Sequence, residues 1–139
     1  MASIRSHVTR DLVALEATTP VRDAARLMSD KNVGSIAVRE KGRIIGLVTE
    51  RDLVATVIAR GADHALPIRE AMRPGIPHVH PGATEAECAA IMRDVYTRHL
   101  LVEEGGEVLG VISMRDIIRL MLDEKQFVIE QLSSYISGG

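Results

Sequence analysis

The chain has 139 residues, 46% hydrophobic and 26% charged, with a formal net charge of −2, which are values of a globular and not a disordered protein. The acidic balance, the lack of tryptophan and a total of three aromatic residues argue against a nucleic-acid binder, which is usually basic and rich in stacking rings. A single cysteine, Cys88, excludes an intramolecular disulfide and a thiolate zinc cluster. Because no secretory apolar region and no apolar run of about 18 residues occurs, we expect a cytoplasmic protein that does not cross a membrane.

An internal repeat organises the chain. The sequence partly overlays itself when it is shifted by 64 residues, as from Gly46 to Gly110, and the matching blocks keep their register without a gap. The block from Gly46 to Leu53 falls on the block from Gly110 to Ile117 in this way. Repeated units of this kind often cannot bury their apolar faces alone.

The first unit reads as strand, helix, hairpin and helix. An extended segment covers residues 12–15, and Thr19 is predicted to cap a helix that has Pro20 at its first position. Two apolar runs, 35–38 and 44–48, flank the charged turn 41–43 and predict a hairpin. A second helix follows Thr49.

The linker and the second unit continue the pattern. Residues 67–72 predict a short helix opened by Pro67 and stopped before Pro74. In the second unit, Thr84 and Glu87 have the spacing of a capping box. The runs 100–102 and 108–112 predict another hairpin.

The C-terminal segment predicts a long amphipathic helix over residues 116–136, with a break near residues 123–125. Its apolar stripe is larger than two small units would cover, so we expect the helix to contact another subunit. The apolar positions are Ile117, Leu120, Met121, Phe127, Val128, Leu132 and Tyr135.

A hydroxyl-x-x-Asp pattern ends the last strand of each unit, as Thr49 to Asp52 and as Ser113 to Asp116. A helix N-terminus suits a phosphate, an adjacent carboxylate can accept hydrogen bonds from a ribose diol, and Arg51 or Arg115 can pair with phosphate. The same hydroxyls are also ordinary helix caps. Because the pattern occurs twice at equivalent points, we favour a ribonucleotide site.

These residues resemble a pair of CBS (cystathionine-β-synthase-type) domains, a Bateman module. The resemblance rests on Val33 to Val38 with Gly46 to Asp52, and on Arg98 to Val102 with Gly110 to Asp116, and covers roughly residues 8 to 122. It implies an α/β (α+β) fold of two βαββα repeats packed sheet to sheet with pseudo-two-fold symmetry, plus the C-terminal helix. We assign repeat 1 to residues 8–62, a linker helix to 63–75, repeat 2 to 76–122, and the C-terminal helix and tail to 123–139.

The resemblance further implies a stand-alone, non-catalytic regulatory module that binds AMP, ADP, ATP, NAD or S-adenosylmethionine in two clefts and requires no metal. Carried over by position, one cleft contains Asp116, Ser113, Arg115, Arg98 and His99, with Val13, Val33, Gly34 and Ser35 around the adenine. The other contains Asp52, Thr49 and Arg51, with Gly34 and Ser35 near the phosphates and Pro77, Thr97 and Arg98 around the base. The Asp116 cleft is favoured, because Arg98 and His99 replace Gly34 and Ser35 and because Met114 replaces the acidic Glu50.

Several other interpretations are open. A homodimeric scaffold with vestigial clefts predicts an oligomer without a nucleotide, whereas a nucleotide hydrolase or transferase would need a nucleophile and a base that the sequence does not bring together. Cys88 is expected to be a small core residue. His78 and His80 share one side of a strand, but no third ligand lies near them in sequence. The regulated partner is unknown, and neither nucleic acid nor membrane is expected as a partner.

Overall fold

The computed structural model describes residues 3–138, with the backbone alone for residues 137 and 138. The chain divides into two compact units that follow the repeat. The first-repeat unit is Asp11–Pro77, and the second-repeat unit joins the N-terminal segment that ends at Arg10 to the chain from His78 onward.

The first-repeat unit contains one three-stranded sheet in the order β1-β2-β3 and the helices that cover it. β1 pairs with β2 in parallel, and β2 pairs with β3 in an antiparallel hairpin with an irregularity between Val38 and Arg39. Its elements are β1 (Ala14–Glu16), α1 (Val21–Lys31), β2 (Ser35–Glu40), β3 (Arg43–Thr49), α2 (Glu50–Leu53), a π-helix (Val54–Ala59) and α3 (Ile68–Ala71).

The second-repeat unit repeats this arrangement with the sheet order β4-β5-β6. The hairpin irregularity recurs between Val102 and Glu103, 64 residues after its counterpart. The elements are a 3-10 helix (Ile4–His7), β4 (His78–Val79), α4 (Glu85–Asp94), β5 (His99–Glu104), β6 (Glu107–Ser113) and α5 (Met114–Gly138). The mixed α/β repeat and the C-terminal helix are therefore confirmed.

Each hairpin turns through residues with positive φ. In the second-repeat unit these are Gly105 and Gly106, at φ 62° and 81°, and in the first-repeat unit they are Lys41 and Gly42, at 53° and 77°. Two consecutive left-handed residues match the twist of the flanking strands, which is why glycine is favoured there. The charged, glycine-containing runs predicted these turns correctly.

Each unit has its own apolar core. In the first-repeat unit the face of α1 formed by Val21, Ala24 and Met28 packs on the sheet with Ile36 and Val48. In the second-repeat unit the equivalent face of α4 contributes Cys88 and Met92, which pack with β-strand side chains and with Ile117 and Leu120 of α5. Cys88 is fully buried, as expected of a core residue.

The N-terminal segment completes the second-repeat unit. Ile4 is fully buried in its core, and the Ile4 N–H donates to the carbonyl of Ala83 (2.8 Å). Thr9 forms a reciprocal pair of backbone hydrogen bonds with Val111 (2.9 and 3.0 Å), which covers the free edge of β6.

Two local predictions about helix starts are wrong. Pro20 is the N-cap of α1 and not its first residue, and among the described residues no side chain caps this helix. The first N–H groups of α1 find tertiary partners instead, because Val21 donates to the carbonyl of Leu66 (2.8 Å) and Arg22 to that of His64 (3.1 Å). Pro67 is likewise the N-cap of α3 and not its first residue.

The predicted break in the C-terminal helix is also wrong, since α5 runs without interruption through residues 123–125. Contacts within the second-repeat unit hold this stretch. The carboxylate of Asp123 pairs with His7 Nε2 at 3.0 Å, and Glu124 interacts with the side chain of Glu85 on α4. The capping box of α4, Thr84 with Glu87, is present as predicted.

Candidate functional site

The hydroxyl and the aspartate of each hydroxyl-x-x-Asp sequence form a reciprocal cap. In the second-repeat unit the Ser113 N–H donates to Asp116 Oδ2 (2.8 Å), and the Asp116 N–H donates to Ser113 Oγ (3.2 Å). In the first-repeat unit Thr49 and Asp52 make the same two bonds at the same distances. The structural role considered for these residues is therefore present in both units.

The caps leave part of each aspartate available. All the hydrogen bonds of Asp116 use Oδ2, including one donated by Ser113 Oγ at 2.8 Å, and both carboxylates are only partly buried. Within residues 3–138, Oδ1 of Asp116 has no hydrogen-bond donor. A carboxylate oriented through one oxygen can accept a hydroxyl through the other, so the cap is compatible with a ribose contact.

The start of the preceding strand lies beside each cap, and the same register holds in both units. His99 pairs with Ser113 across β5 and β6, and Ser35 pairs with Thr49 across β2 and β3. The first amide of the following helix is anchored equivalently, because the Met114 N–H donates to the carbonyl of Arg98 (2.8 Å) and the Glu50 N–H to that of Gly34 (3.1 Å). The two units therefore form equivalent hydrogen bonds at equivalent positions of the repeat.

The second-repeat unit brings together six of the predicted site residues. The Thr97 hydroxyl donates to the carbonyl of His99 (3.1 Å) and accepts from the His99 N–H (3.3 Å), which fixes the chain that leads into β5. The side chains of Arg98 and Arg115 are exposed. The group consists of Thr97, Arg98, His99, Ser113, Arg115 and Asp116.

The first-repeat unit gathers its own predicted residues around the Thr49 cap. Val33 lies just before β2, where its N–H donates to the carbonyl of Met28 at 3.1 Å, whereas Val13 lies just before β1 and its carbonyl accepts from the Ala37 N–H of β2 at 2.8 Å. The remaining members are Gly34, Ser35, Thr49, Arg51 and Asp52, whereas Pro77 is the last residue of the unit. That residues of both units contact one nucleotide stays a prediction.

The two caps differ in charge. Around Asp116 the group contains Arg98 and Arg115, which together with the aspartate sum to +1 when His99 is neutral. Around Asp52 the charged side chains are those of Glu50 and Arg51, which with the aspartate sum to −1. In the described chain Arg98 and Arg115 form no ion pair, so both guanidinium groups are available to an anion.

The remaining candidate side chains, Cys88, His78 and His80, lie in the second-repeat unit. Burial raises the pKa of the Cys88 thiol to about 11, so the thiolate nucleophile is scarce at neutral pH. His78 Nε2 lies 3.4 Å from Glu103, and His80 Nε2 lies 3.1 Å from Glu104. Between residues 3 and 138 no group of three or more His, Cys, Asp or Glu side chains is arranged to hold a metal ion.

An apolar groove in the first-repeat unit was not predicted. It has a volume of about 430 Å³ and lies between α1 and the π-helix, with Arg22, Arg26 and His64 among its lining residues. Val54 and Ile58 of the π-helix are 57% and 75% exposed. Leu53, Val54, Val57 and Ile58 have the spacing of an apolar stripe on one side of a helix, which is the pattern that could have indicated an apolar surface here.

No helix in the described part of the chain is long and apolar enough to cross a bilayer. α5 has 25 residues, but charged side chains interrupt it at positions 115, 116, 119, 123–125 and 130.

Comparison with known proteins gives consistent results. The family described as "CBS domain" matches twice, over residues 4–59 and 68–123. The chain is 26% identical over 117 residues to the CBS domain-containing protein YhcV of Bacillus subtilis, with 84% of each chain covered. A solved structure of a protein with CBS domains from Burkholderia ambifaria is 31% identical, with a TM-score of 0.78 and coverage of 82% of this chain and 85% of that chain.

A further structure, CBSX2 in complex with AMP, shares the fold with a TM-score of 0.75 and 21% identity, covering 90% of this chain and 99% of that one. Each of the two matched regions contains one hydroxyl-x-x-Asp cap. The repeat, the fold and the matches agree, and the chain belongs to the CBS domain family.

Proposed function

We propose that this protein is a non-catalytic regulatory module that binds an adenine nucleotide at the Asp116 cap. The single observation that carries the proposal is that, within residues 3–138, this cap combines a carboxylate oxygen that has no hydrogen-bond donor with two arginines that form no ion pair. Asp116 accepts its cap bonds through Oδ2 only, and Arg98 and Arg115 are exposed. A ribose diol and a phosphate are the complementary groups.

The N-terminus of α5 adds to this complementarity. α5 is 25 residues long and begins at Met114, and the aligned peptide dipoles give such a helix a partial positive charge at its first turn. The Asp52 cap has equivalent backbone geometry, but Glu50 precedes Arg51 there and repels a phosphate. The Asp116 cap is therefore the site to which we assign the nucleotide.

The ligand class is AMP, ADP, ATP or NAD. The structural relative CBSX2 was solved with AMP, which supports an adenine nucleotide as the first ligand to test. A ligand shifts a regulatory equilibrium only if its affinities for the two states differ. Regulation of a partner protein is thus a second step that nucleotide binding makes possible.

Calorimetric titration with AMP, ADP, ATP, NAD and S-adenosylmethionine tests the proposal, with Arg98→Gln as the variant and Arg93→Gln as its matched control. Arg93 is an exposed arginine of the same unit that pairs with the adjacent Asp94. Arg98→Gln loses a charge-assisted contact to the phosphate, so its affinity for the preferred nucleotide should fall about tenfold. The affinity of Arg93→Gln should equal that of the parent protein. Absence of heat with every ligand would overturn the proposal.

The exposed apolar side chains of α5 favour a second candidate, a homodimeric scaffold without a nucleotide. Leu132, Tyr135 and Ile136 are 58%, 82% and 79% exposed in the single chain, and contiguous apolar surface of this kind usually marks an interaction site. Sedimentation of the nucleotide-free protein, taken together with the calorimetric titration, separates the two candidates. A stable dimer that gives no heat with any nucleotide supports the scaffold.

A further inference from the structure

α5 presents two different faces to its surroundings. One row of side chains, Ile117, Leu120 and Glu124, points into the second-repeat unit, where Ile117 is 1% and Leu120 is 3% exposed. The CBS match ends at residue 123, whereas α5 continues for fifteen residues from Glu124 to Gly138. This extension is therefore a feature of the present chain that the family match does not account for.

The exposed face follows a heptad. Its side chains alternate in steps of four and three residues, which is the spacing of the a and d positions of a two-stranded coiled coil. All of the apolar members are between 46% and 79% exposed. We call this row the α5 seam, and it consists of Ile118, Leu122, Lys125, Ile129, Leu132 and Ile136.

A neighbouring row widens the seam. Met121, Val128 and Tyr135 are spaced seven residues apart and are 51%, 54% and 82% exposed. Phe127 does not belong to either row, because it continues the row of Ile117 and Leu120 on the opposite side of the helix. Phe127 is 62% exposed and therefore provides a control on the same helix.

We propose that the α5 seam pairs in antiparallel orientation with the α5 seam of a second copy of this chain. The inference rests on the homodimer proposed above and specifies where the two copies meet. The order of the steps, four-three-four-three-four, is the same when it is read backwards from Ile136, so an inverted copy of the helix presents the same pattern. Ile118 then faces the partner's Ile136, and Leu122 faces the partner's Leu132.

Lys125 determines the orientation. A parallel pair places Lys125 in the same layer as the partner's Lys125, so that two ammonium groups meet inside an apolar seam. The antiparallel pair places Lys125 opposite the partner's Ile129, where the aliphatic part of the lysine packs and its ammonium group reaches water. Opposed helix dipoles favour the same orientation.

The length of the seam fits a helix pair. From Ile118 to Ile136 an α-helix rises by about 27 Å, which is roughly five turns. An extension that leaves the core of its own unit after Glu124 has little tertiary packing to hold it helical, and most helix stability in proteins comes from such packing. The partner's helix supplies that packing.

The first test is the mass in solution at a series of concentrations, measured by light scattering and sedimentation, with Leu132→Glu against Phe127→Glu. Both residues are exposed leucine-sized or larger side chains on α5, so neither change removes a core contact, and thermal unfolding of the second-repeat unit serves as the folding check. We expect a dimer for the parent protein and for Phe127→Glu. We expect the dimer dissociation constant of Leu132→Glu to rise at least a hundredfold.

The second test uses disulfide formation at seam positions. In the antiparallel pair Leu122→Cys combined with Leu132→Cys forms intermolecular disulfides, whereas either change alone forms none, because Leu122 and the partner's Leu122 lie in different layers. Cys88 is fully buried and does not compete.

The outcomes are distinguishable. A monomeric parent protein overturns both the homodimer and the seam. A dimer that resists Leu132→Glu, or that Phe127→Glu dissociates equally, overturns the seam alone and shifts attention to the groove beside the π-helix. Crosslinking of the single Leu122→Cys variant overturns the antiparallel orientation. None of these results bears on nucleotide binding at Asp116, which is measured separately.

Discussion

Replacing Asp116 and Asp52 by alanine separates helix capping from nucleotide binding. Each aspartate carboxylate accepts one cap bond, from the backbone N–H of Thr49 or of Ser113 at 2.8 Å, which alanine would lose, whereas the 3.2 Å bond is donated by the aspartate's own backbone N–H, which alanine keeps. The capping contribution removed by Asp116→Ala and by Asp52→Ala should therefore be similar. Their effects on nucleotide affinity should differ, because only Asp116 lies with Arg98 and Arg115.

The magnitudes follow from the hydrogen bonds. Loss of the one backbone hydrogen bond that the carboxylate accepts costs about 1 kcal/mol, which for a chain of this length lowers the midpoint of thermal unfolding by roughly 3–5 °C. Asp116 has an extra bond from Ser113 Oγ, so its variant should fall at the upper end. A carboxylate that accepts two ribose hydroxyls contributes about 3 kcal/mol, at roughly 1.5 kcal/mol for each charge-assisted bond. Affinity should then fall about a hundredfold.

Differential scanning calorimetry measures the first effect and isothermal titration with the preferred nucleotide measures the second. We expect comparable stability losses in the two variants and a hundredfold loss of affinity in Asp116→Ala alone. Unchanged affinity in Asp116→Ala would refute the site assignment. An equal loss of affinity in both variants would refute the argument from charge, because it would give the Asp52 cap the same role.

Three further predictions concern stability and reactivity. Cys88, with its pKa raised to about 11 by burial, should react with a thiol reagent only as fast as the second-repeat unit opens, and rapid labelling of the native protein would contradict its core position. Burial, with the nearby Glu124, raises the pKa of Glu85 in the folded protein above its ordinary value of 4.5. The contribution of Glu85 to the free energy of unfolding is therefore fully present below pH 4.5, and it is lost as the pH rises through the higher pKa of the folded state. Glu85→Gln should therefore unfold at higher urea than the parent at pH 7 and flatten the decline above pH 4.5, while Glu130→Gln should not. Gly110→Ala should be strongly destabilising, since its Cβ would clash with the Thr9 carbonyl and Val8; the repeat-equivalent Gly46→Ala places its Cβ 3.4 Å from flexible Met72 and should cost far less in chemical denaturation.

Much of the local structure was predictable from the sequence, because local chemistry decides it. The hairpin turn at Gly105 and Gly106 needs two residues of positive φ, and two consecutive glycines in the sequence predict it. The capping box of Thr84 and Glu87 involves residues three apart, so their identity is sufficient. The residues of the Asp116 cap could be named for the same reason.

Only the tertiary structure decided features whose partners are distant in sequence. α1 begins without a side-chain cap because the carbonyls of His64 and Leu66 accept its first N–H groups. α5 passes through residues 123–125 without a break because His7 and Glu85 lie against it.

The sequence by itself determined the repeat, the hairpins and the two aspartate caps, since each depends on residue types at short and regular spacing. It could not determine that the N-terminal segment completes the second-repeat unit through Ile4 and Thr9. Nor could it show which oxygen of Asp116 remains available. Those features depend on where residues far apart in the chain meet, and the free energy of packing and hydrogen bonding in three dimensions determines that.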